Sequence, residues 1–160
     1  MLKVAIIATV IALALTAGVN EWKSRSIYQV LTDRFYRTDG STTAPCDLRK
    51  YCGGTYKGLQ SQLDYIKGMG FDAIWISPIP KNKGEDYHGY GALDFYESNE
   101  HFGTKEELKE FVDAAHAKGI WVMVDMVANH VAAVDLDFDQ IIPFNKPEHY
   151  HTKCNIDYND

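Results

Sequence analysis

Positive charge is neither abundant nor gathered in this chain: 16 Lys and Arg stand against 22 Asp and Glu, giving a net charge of −6 over 160 residues, and the basic side chains are scattered. No stripe of cations follows a helix or loop, so nucleic acid is excluded as the expected partner. No Gly-x-Gly-x-x-Gly follows any apolar run, which disfavours a dinucleotide-binding sheet. An Asn-x-Ser/Thr glycosylation acceptor is missing too. Beyond the first 18 residues no apolar run approaches the roughly 20 residues that cross a bilayer. Disorder and low complexity are equally foreign to a composition that is 46% hydrophobic, 24% charged and 12% aromatic. Such a chain has the apolar material for one core.

Cysteine is scarce, and its placement is informative. Cys46 and Cys52 bracket a short polar loop and are natural partners in an oxidising compartment. Closing that ring stabilises the fold by roughly 2 kcal/mol on the chain-entropy estimate. Cys154 is left over, which implies an intermolecular bond, a free thiol or a partner outside this sequence, and the last of these is preferred. The amino terminus agrees with export. Lys3 precedes an uncharged apolar run over residues 4–15, followed by the small residues Thr16, Ala17 and Gly18. Residues 1–18 therefore read as a cleaved signal peptide, with a soluble, exported product and no membrane association afterwards.

Periodicity in the rest alternates between strand and helix. Residues 26–31 are β-branched and aromatic and predict a first strand. Leu59, Leu63, Ile66 and Met69 fall at helical spacing, with Gly70 as the stop. Residues 73–76 predict a second strand, and a loop is expected from Lys81 to about Asn99. Thr104 and Glu107 form a capping box for a helix reaching Lys118, which Gly119 terminates. Residues 121–127 predict a third strand. Three βα-type repeats imply an α/β fold with a parallel sheet, open or barrel-shaped.

The third strand ends in an informative way. The buried-looking apolar run 121–124 gives way to Asp125, Asn129 and His130, three polar groups within six residues. Loops at the carboxyl ends of parallel strands build ligand sites. The loop after the second strand, with Tyr87, His88, Gly89 and Tyr90, is expected on the same face. His88 and His130 can hydrogen-bond neutral hydroxyls, Tyr90 offers a ring face, and Asp125 can orient a neighbour.

These residues also match a family. The segments Leu31-Thr32-Asp33-Arg34-Phe35, Tyr51-Cys52-Gly53-Gly54-Thr55-Tyr56, Gly68-Met69-Gly70-Phe71, Ala73-Ile74-Trp75-Ile76, Tyr87-His88-Gly89-Tyr90 and Val124-Asp125-Met126-Val127-Ala128-Asn129-His130 together resemble secreted fungal-type α-amylase, over nearly the whole mature chain. The resemblance implies the amino-terminal part of a (β/α)8 barrel, about three βα units, ending at the start of an inserted calcium-binding domain. The implied boundaries are 1–18 for the leader, 19–128 for the first part of the barrel and 129–160 for the start of the insertion.

The implied activity is retaining endo-hydrolysis of α-1,4-glucosidic bonds by a secreted, extracellular monomer, with starch, glycogen or malto-oligosaccharides as partners. The family relation further implies that Asn129 ligates a structural Ca2+, that His130 hydrogen-bonds the sugar before the scissile bond, and that Tyr90 stacks on that sugar. His88 lies beside the stacking tyrosine, and Asp125 supports the site. No catalytic residue is expected within this chain, because the nucleophile, the general acid and a further aspartate belong after later strands. An α-glucosidase or glucanotransferase of the same family is the alternative enzyme, and a non-catalytic carbohydrate-binding short product the alternative from another class. Two positions depart from the fungal pattern: Gly91 stands where a tryptophan is expected, and Arg49 where the cysteine loop carries a glutamine.

Overall fold

A computed structural model describes residues 18–152 and Cys154; the leader expected at 1–18 lies outside the described residues except for Gly18. Three strands, β1 (Ile27–Gln29), β2 (Ala73–Ile76) and β5 (Trp121–Val124), form a parallel sheet in the order β1-β2-β5. The register places Ile27 opposite Ala73 and Ala73 opposite Trp121, and Ala73, Ile74 and Trp75 of β2 are each paired on both sides. That central position explains why Ala73, Ile74 and Ile76 are fully buried. Among the described residues β5 has a neighbour on one edge only. Its residues are half-buried up to Val124, which is 41% exposed, so the expectation of a buried run is corrected.

β5 also stops earlier than residue 127. The backbone N–H of Asp125 still donates to the Ile76 carbonyl at 3.2 Å, and beyond it the chain turns away, leaving Met126 69% exposed.

Two four-residue helices, α1 (Val19–Trp22) and α2 (Thr32–Phe35), flank β1, and the helices that follow cover the sheet through the residues that periodicity selects. The helix expected around residues 59–69 forms as two short pieces, α3 (Tyr56–Ser61) and α4 (Leu63–Gly68), broken at Gln62 with φ −107° and ψ 11°. Thr55 caps α3 by accepting the Gly58 N–H at 3.0 Å. Leu59, Leu63 and Ile66 are buried, whereas Met69 falls at the end of α4 and stays exposed, outside the stripe that spacing assigned it to. α5 (Lys105–Ala117) begins with the expected box: Glu107 N–H donates to Thr104 Oγ1 at 3.2 Å and Thr104 N–H to Glu107 Oε2 at 3.0 Å. Gly119, at φ +72°, ends it as the sequence predicts. Phe111 and Ala115 of α5 meet Tyr56, Leu59, Ile74, Phe102 and Ile120 in one core.

The expected loop between residues 81 and 99 is instead largely a hairpin. β3 (Pro80–Asn82) pairs antiparallel with β4 (Ala92–Ser98), with register shifts on both sides of Lys81. Proline is tolerated at the first strand position, and the bulges disrupt the alternation that would have signalled pairing. Segment 129–150 then lies along β4. Ala132 N–H donates to the Ala92 carbonyl at 2.9 Å, Ile142 N–H to that of Leu93 at 2.8 Å, and Phe95 N–H to that of Ile142 at 2.9 Å. Ala132, Val134 and Ile141 form a second, small cluster with Leu93 and Val131. No helix among the described residues is long and apolar enough to cross a membrane.

Candidate functional site

The turn that carries Tyr87 to Tyr90 is shaped by a glycine. Gly89 has φ +88°, and a Cβ there would stand 2.8 Å from the Pro78 carbonyl oxygen and 2.9 Å from its ring, so a side chain is barred twice over. The turn aligns the flanking side chains. The His88 and Tyr90 rings lie 5.5 Å apart at 26°, and Tyr90 N–H donates to His88 Nδ1 at 3.0 Å. That nitrogen therefore presents its lone pair.

Tyr90 reaches across to β5 and the loop after it. Its hydroxyl donates to Asp125 Oδ2 at 2.9 Å, and its carbonyl accepts from His130 Nε2 at 3.0 Å. The carboxylate that takes the hydroxyl proton holds the Tyr90 phenol above its ordinary range, with burial adding to the effect. Residues 35 and 40 positions apart thus converge at the carboxyl ends of β2 and β5, on the face where the sequence places them. Tyr90 remains 37% exposed within this cluster.

Asn129 lies next to this cluster and is exposed. It lines a cavity of about 210 Å³ together with Phe95, Met126, His130, Phe144 and Tyr150. Among the described residues no group of three or more His, Cys, Asp or Glu is placed to hold a metal ion. Calcium takes six to eight oxygen ligands, and Asn129 offers one neutral amide oxygen, so the described residues do not by themselves fit a calcium site.

The cysteines form the expected bond between Cys46 and Cys52, with a Cα–Cα distance of 5.0 Å, while Cys154 is exposed and free. Behind the disulfide loop lies a residue that sequence reading did not single out. Asp33 is 2% exposed and accepts the N–H groups of Cys52, at 2.8 and 3.0 Å, and Gly53, at 3.0 Å. Its neighbour Arg34 pairs with it at 3.1 Å and lies over the Tyr87 ring. Both lie in the segment 31–35 that carries the family resemblance, but apart from their mutual pair their side-chain partners are 12 or more residues away, so no local pattern announces these contacts. The two departures from the fungal pattern also acquire locations. Arg49 has a side chain 90% exposed and pairs with Asp47. Gly91 is buried with its N–H donated to Asn82 Oδ1 at 2.7 Å, and any side chain there would run into the Asp86 carboxylate.

The α-amylase catalytic-domain family profile matches residues 29–155. The chain belongs to the α-amylase family. It is 50% identical over 156 residues to α-amylase 3 of Schizosaccharomyces pombe, a match covering 89% of this chain and 28% of that protein. A solved α-amylase from Malbranchea cinnamomea superimposes with a TM-score of 0.81 at 56% identity, covering 88% of this chain and 32% of the other. The α-amylase of Geobacillus thermoleovorans, solved in complex with acarbose, gives a TM-score of 0.72 at 40% identity, covering 87% and 30%. The chain thus corresponds to the amino-terminal ~30% of its α-amylase relatives, and its parallel strands and helices are the first part of the TIM-barrel fold of the family.

Proposed function

We propose that this chain is the amino-terminal portion of a secreted, calcium-dependent α-amylase that cleaves internal α-1,4-glucosidic bonds of starch and glycogen with retention. The observation that carries the reading is the joined cluster of His88, Tyr90, Asp125 and His130 at the carboxyl ends of the parallel strands. A partly exposed tyrosine ring flanked by imidazoles suits a neutral sugar, whose apolar face stacks while its hydroxyls bond to the ring nitrogens. In this reading Tyr90 stacks on the sugar before the scissile bond and His130 bonds a hydroxyl of it. His88 lines the same face, and Asp125 holds the Tyr90 hydroxyl so that the ring keeps its angle.

Asn129 would contribute one oxygen to a structural Ca2+, whose remaining ligands belong to chain beyond this sequence. The inserted domain begins at residue 129. The barrel portion is 19–128, after a leader at 1–18. Retention requires a carboxylate nucleophile and a carboxylic acid about 5 to 5.5 Å apart. We place that pair outside this sequence, so these 160 residues bind and support rather than cleave.

The test is calorimetric titration of the purified chain with maltoheptaose, alongside a starch-hydrolysis assay. Binding that falls ~10-fold or more in Tyr90→Ala, with no hydrolysis, is the expected result. Hydrolysis by the purified chain would overturn the placement of the carboxylates, and titration heats unaffected by Tyr90→Ala would remove Tyr90 from the sugar site.

A further inference from the structure

Arg34 lies at the wall of a groove of about 640 Å³ that runs beside the disulfide loop and ends at Tyr87. Four contacts hold its guanidinium. Nη1 stands 3.1 Å from Asp33 Oδ2 and 3.3 Å from Cys46 Sγ, Nη2 donates to the Leu48 carbonyl at 2.8 Å, and the carbon between them lies 3.8 Å from the centre of the Tyr87 ring. The side chain is 18% exposed, so these contacts are largely shielded from water. Only a planar fork does this. An ammonium is a point charge that could keep the Asp33 pair but could not lie flat on a ring while donating sideways to a carbonyl.

The contacts continue toward the sugar-facing cluster. The Tyr87 ring meets His88 edge-on at 5.3 Å and 62°, His88 Nδ1 accepts the Tyr90 N–H at 3.0 Å, and Tyr90 is bonded in turn to Asp125 and His130. Tyr87 thus contacts Arg34 through its ring face and meets the His88 ring at an angle of 62°. Gly89 lets the turn bend but carries no side chain to restrain it.

We infer that Arg34 is a positioning residue: by clamping Tyr87 against the disulfide loop it fixes the His88 ring, and through it the angle of Tyr90, so that the groove behind the disulfide tunes sugar binding without touching sugar. The inference rests on the reading of Tyr90 and His88 as sugar contacts. It adds that the sugar affinity of that face depends on a residue of the short helix Thr32–Phe35 that follows β1.

The experiment uses the full 160-residue chain carrying Arg34→Lys, Tyr87→Leu, both together, or Tyr87→Phe. Maltoheptaose affinity and melting temperature are measured, and the ring nitrogens of His88 are followed by long-range 1H–15N NMR without sugar. Arg34→Lys and Tyr87→Leu are each expected to weaken maltoheptaose binding ~5- to 10-fold, with the double variant no worse than either. Tyr87→Phe, which keeps the ring, should bind like the parent. The His88 Nδ1 signal should shift in Arg34→Lys and Tyr87→Leu in the absence of sugar. Additive losses in the double variant, a His88 signal that does not move, or affinity loss accompanied by a proportionate fall in melting temperature would each overturn the clamp. If the parent fails to bind maltoheptaose while the His88 signal still responds to Arg34→Lys, the sugar reading falls and the clamp stands.

Discussion

The parallel-sheet body and the layer of loops above it are held together by different forces. In the body, eleven buried residues from Val30 to Ile120 form one continuous cluster, and the helices that cover β2 are there because their apolar stripes have nowhere else to go. In the loop layer the apolar cluster is small, made of Ala132, Val134 and Ile141. Order there comes from directed bonds: the Asp33 carboxylate under two backbone N–H groups, Asn99 donating to the Tyr51 hydroxyl at 2.9 Å, and Tyr90 reaching Asp125. Burial is non-directional and tolerant of detail, whereas a hydrogen bond fails within an ångström. A binding face built from the second kind of contact can be exact in geometry while contributing little to global stability.

That contrast can be broken from the body side first. Phe111→Ala, in the middle of the main cluster, is expected to cost about 3–5 kcal/mol in denaturant unfolding, whereas Ile141→Ala should cost about 2 kcal/mol, at the low end for such a truncation. Equal losses would erase the distinction between the two regions. Gly58→Ala comes next. Helix propensity alone favours alanine by about 1 kcal/mol, but a Cβ at Gly58 would collide with the Tyr36 carbonyl, so a net loss of about 2 kcal/mol is expected. A stabilised variant would show that the close approach of the loop after β1 to α3 is dispensable. Thr104→Ala removes the side chain that caps α5 and should cost about 1 kcal/mol by the same measurement.

The smallest effect belongs to the loop layer and is confined to alkaline pH. Burial, opposed by the bond from Asn99, pushes the Tyr51 phenol up to about 12. The folded chain therefore keeps this proton where the unfolded chain, with an ordinary phenol near 10, has released it. The contribution is fully present below pH ~10 and is lost as pH rises toward about 12. Denaturant midpoints at pH 9 and 11 should fall more in the parent than in Tyr51→Phe. Parallel slopes for the two proteins would show that Tyr51 is not shielded as its contacts imply.

Much of the body was legible from local pattern. The β2 run, the apolar spacing at Leu59, Leu63 and Ile66, the Thr104–Glu107 box and the Gly119 stop each read correctly, because propensity, period and capping act over a few residues. The site was legible in part: Tyr90, Asp125 and His130 meet as expected because strand polarity alone sends both loops to one face. Where strand reading failed, tertiary context was the cause. The β3–β4 hairpin is irregular, begins at a proline and is stabilised by segment 129–150 lying along it, so no alternating pattern announced it. β5 looked buried in sequence yet, among the described residues, presents an open edge, because a strand's apolar content says what it can bury and not how many neighbours it has.

By itself the sequence determined the α/β repeat, the helix boundaries that depend on caps and glycines, the cysteine pair and the family, since all of these reside in local pattern or in motifs. Only the tertiary structure decided which side chains grip one another across the loops. The Arg34 stack on Tyr87, the buried Asp33 beneath the disulfide loop and the Asn99 bond to Tyr51 all join segments whose approach depends on the packed sheet beneath them. Their chemistry is ordinary in each residue taken alone; the distance between them is set by the core.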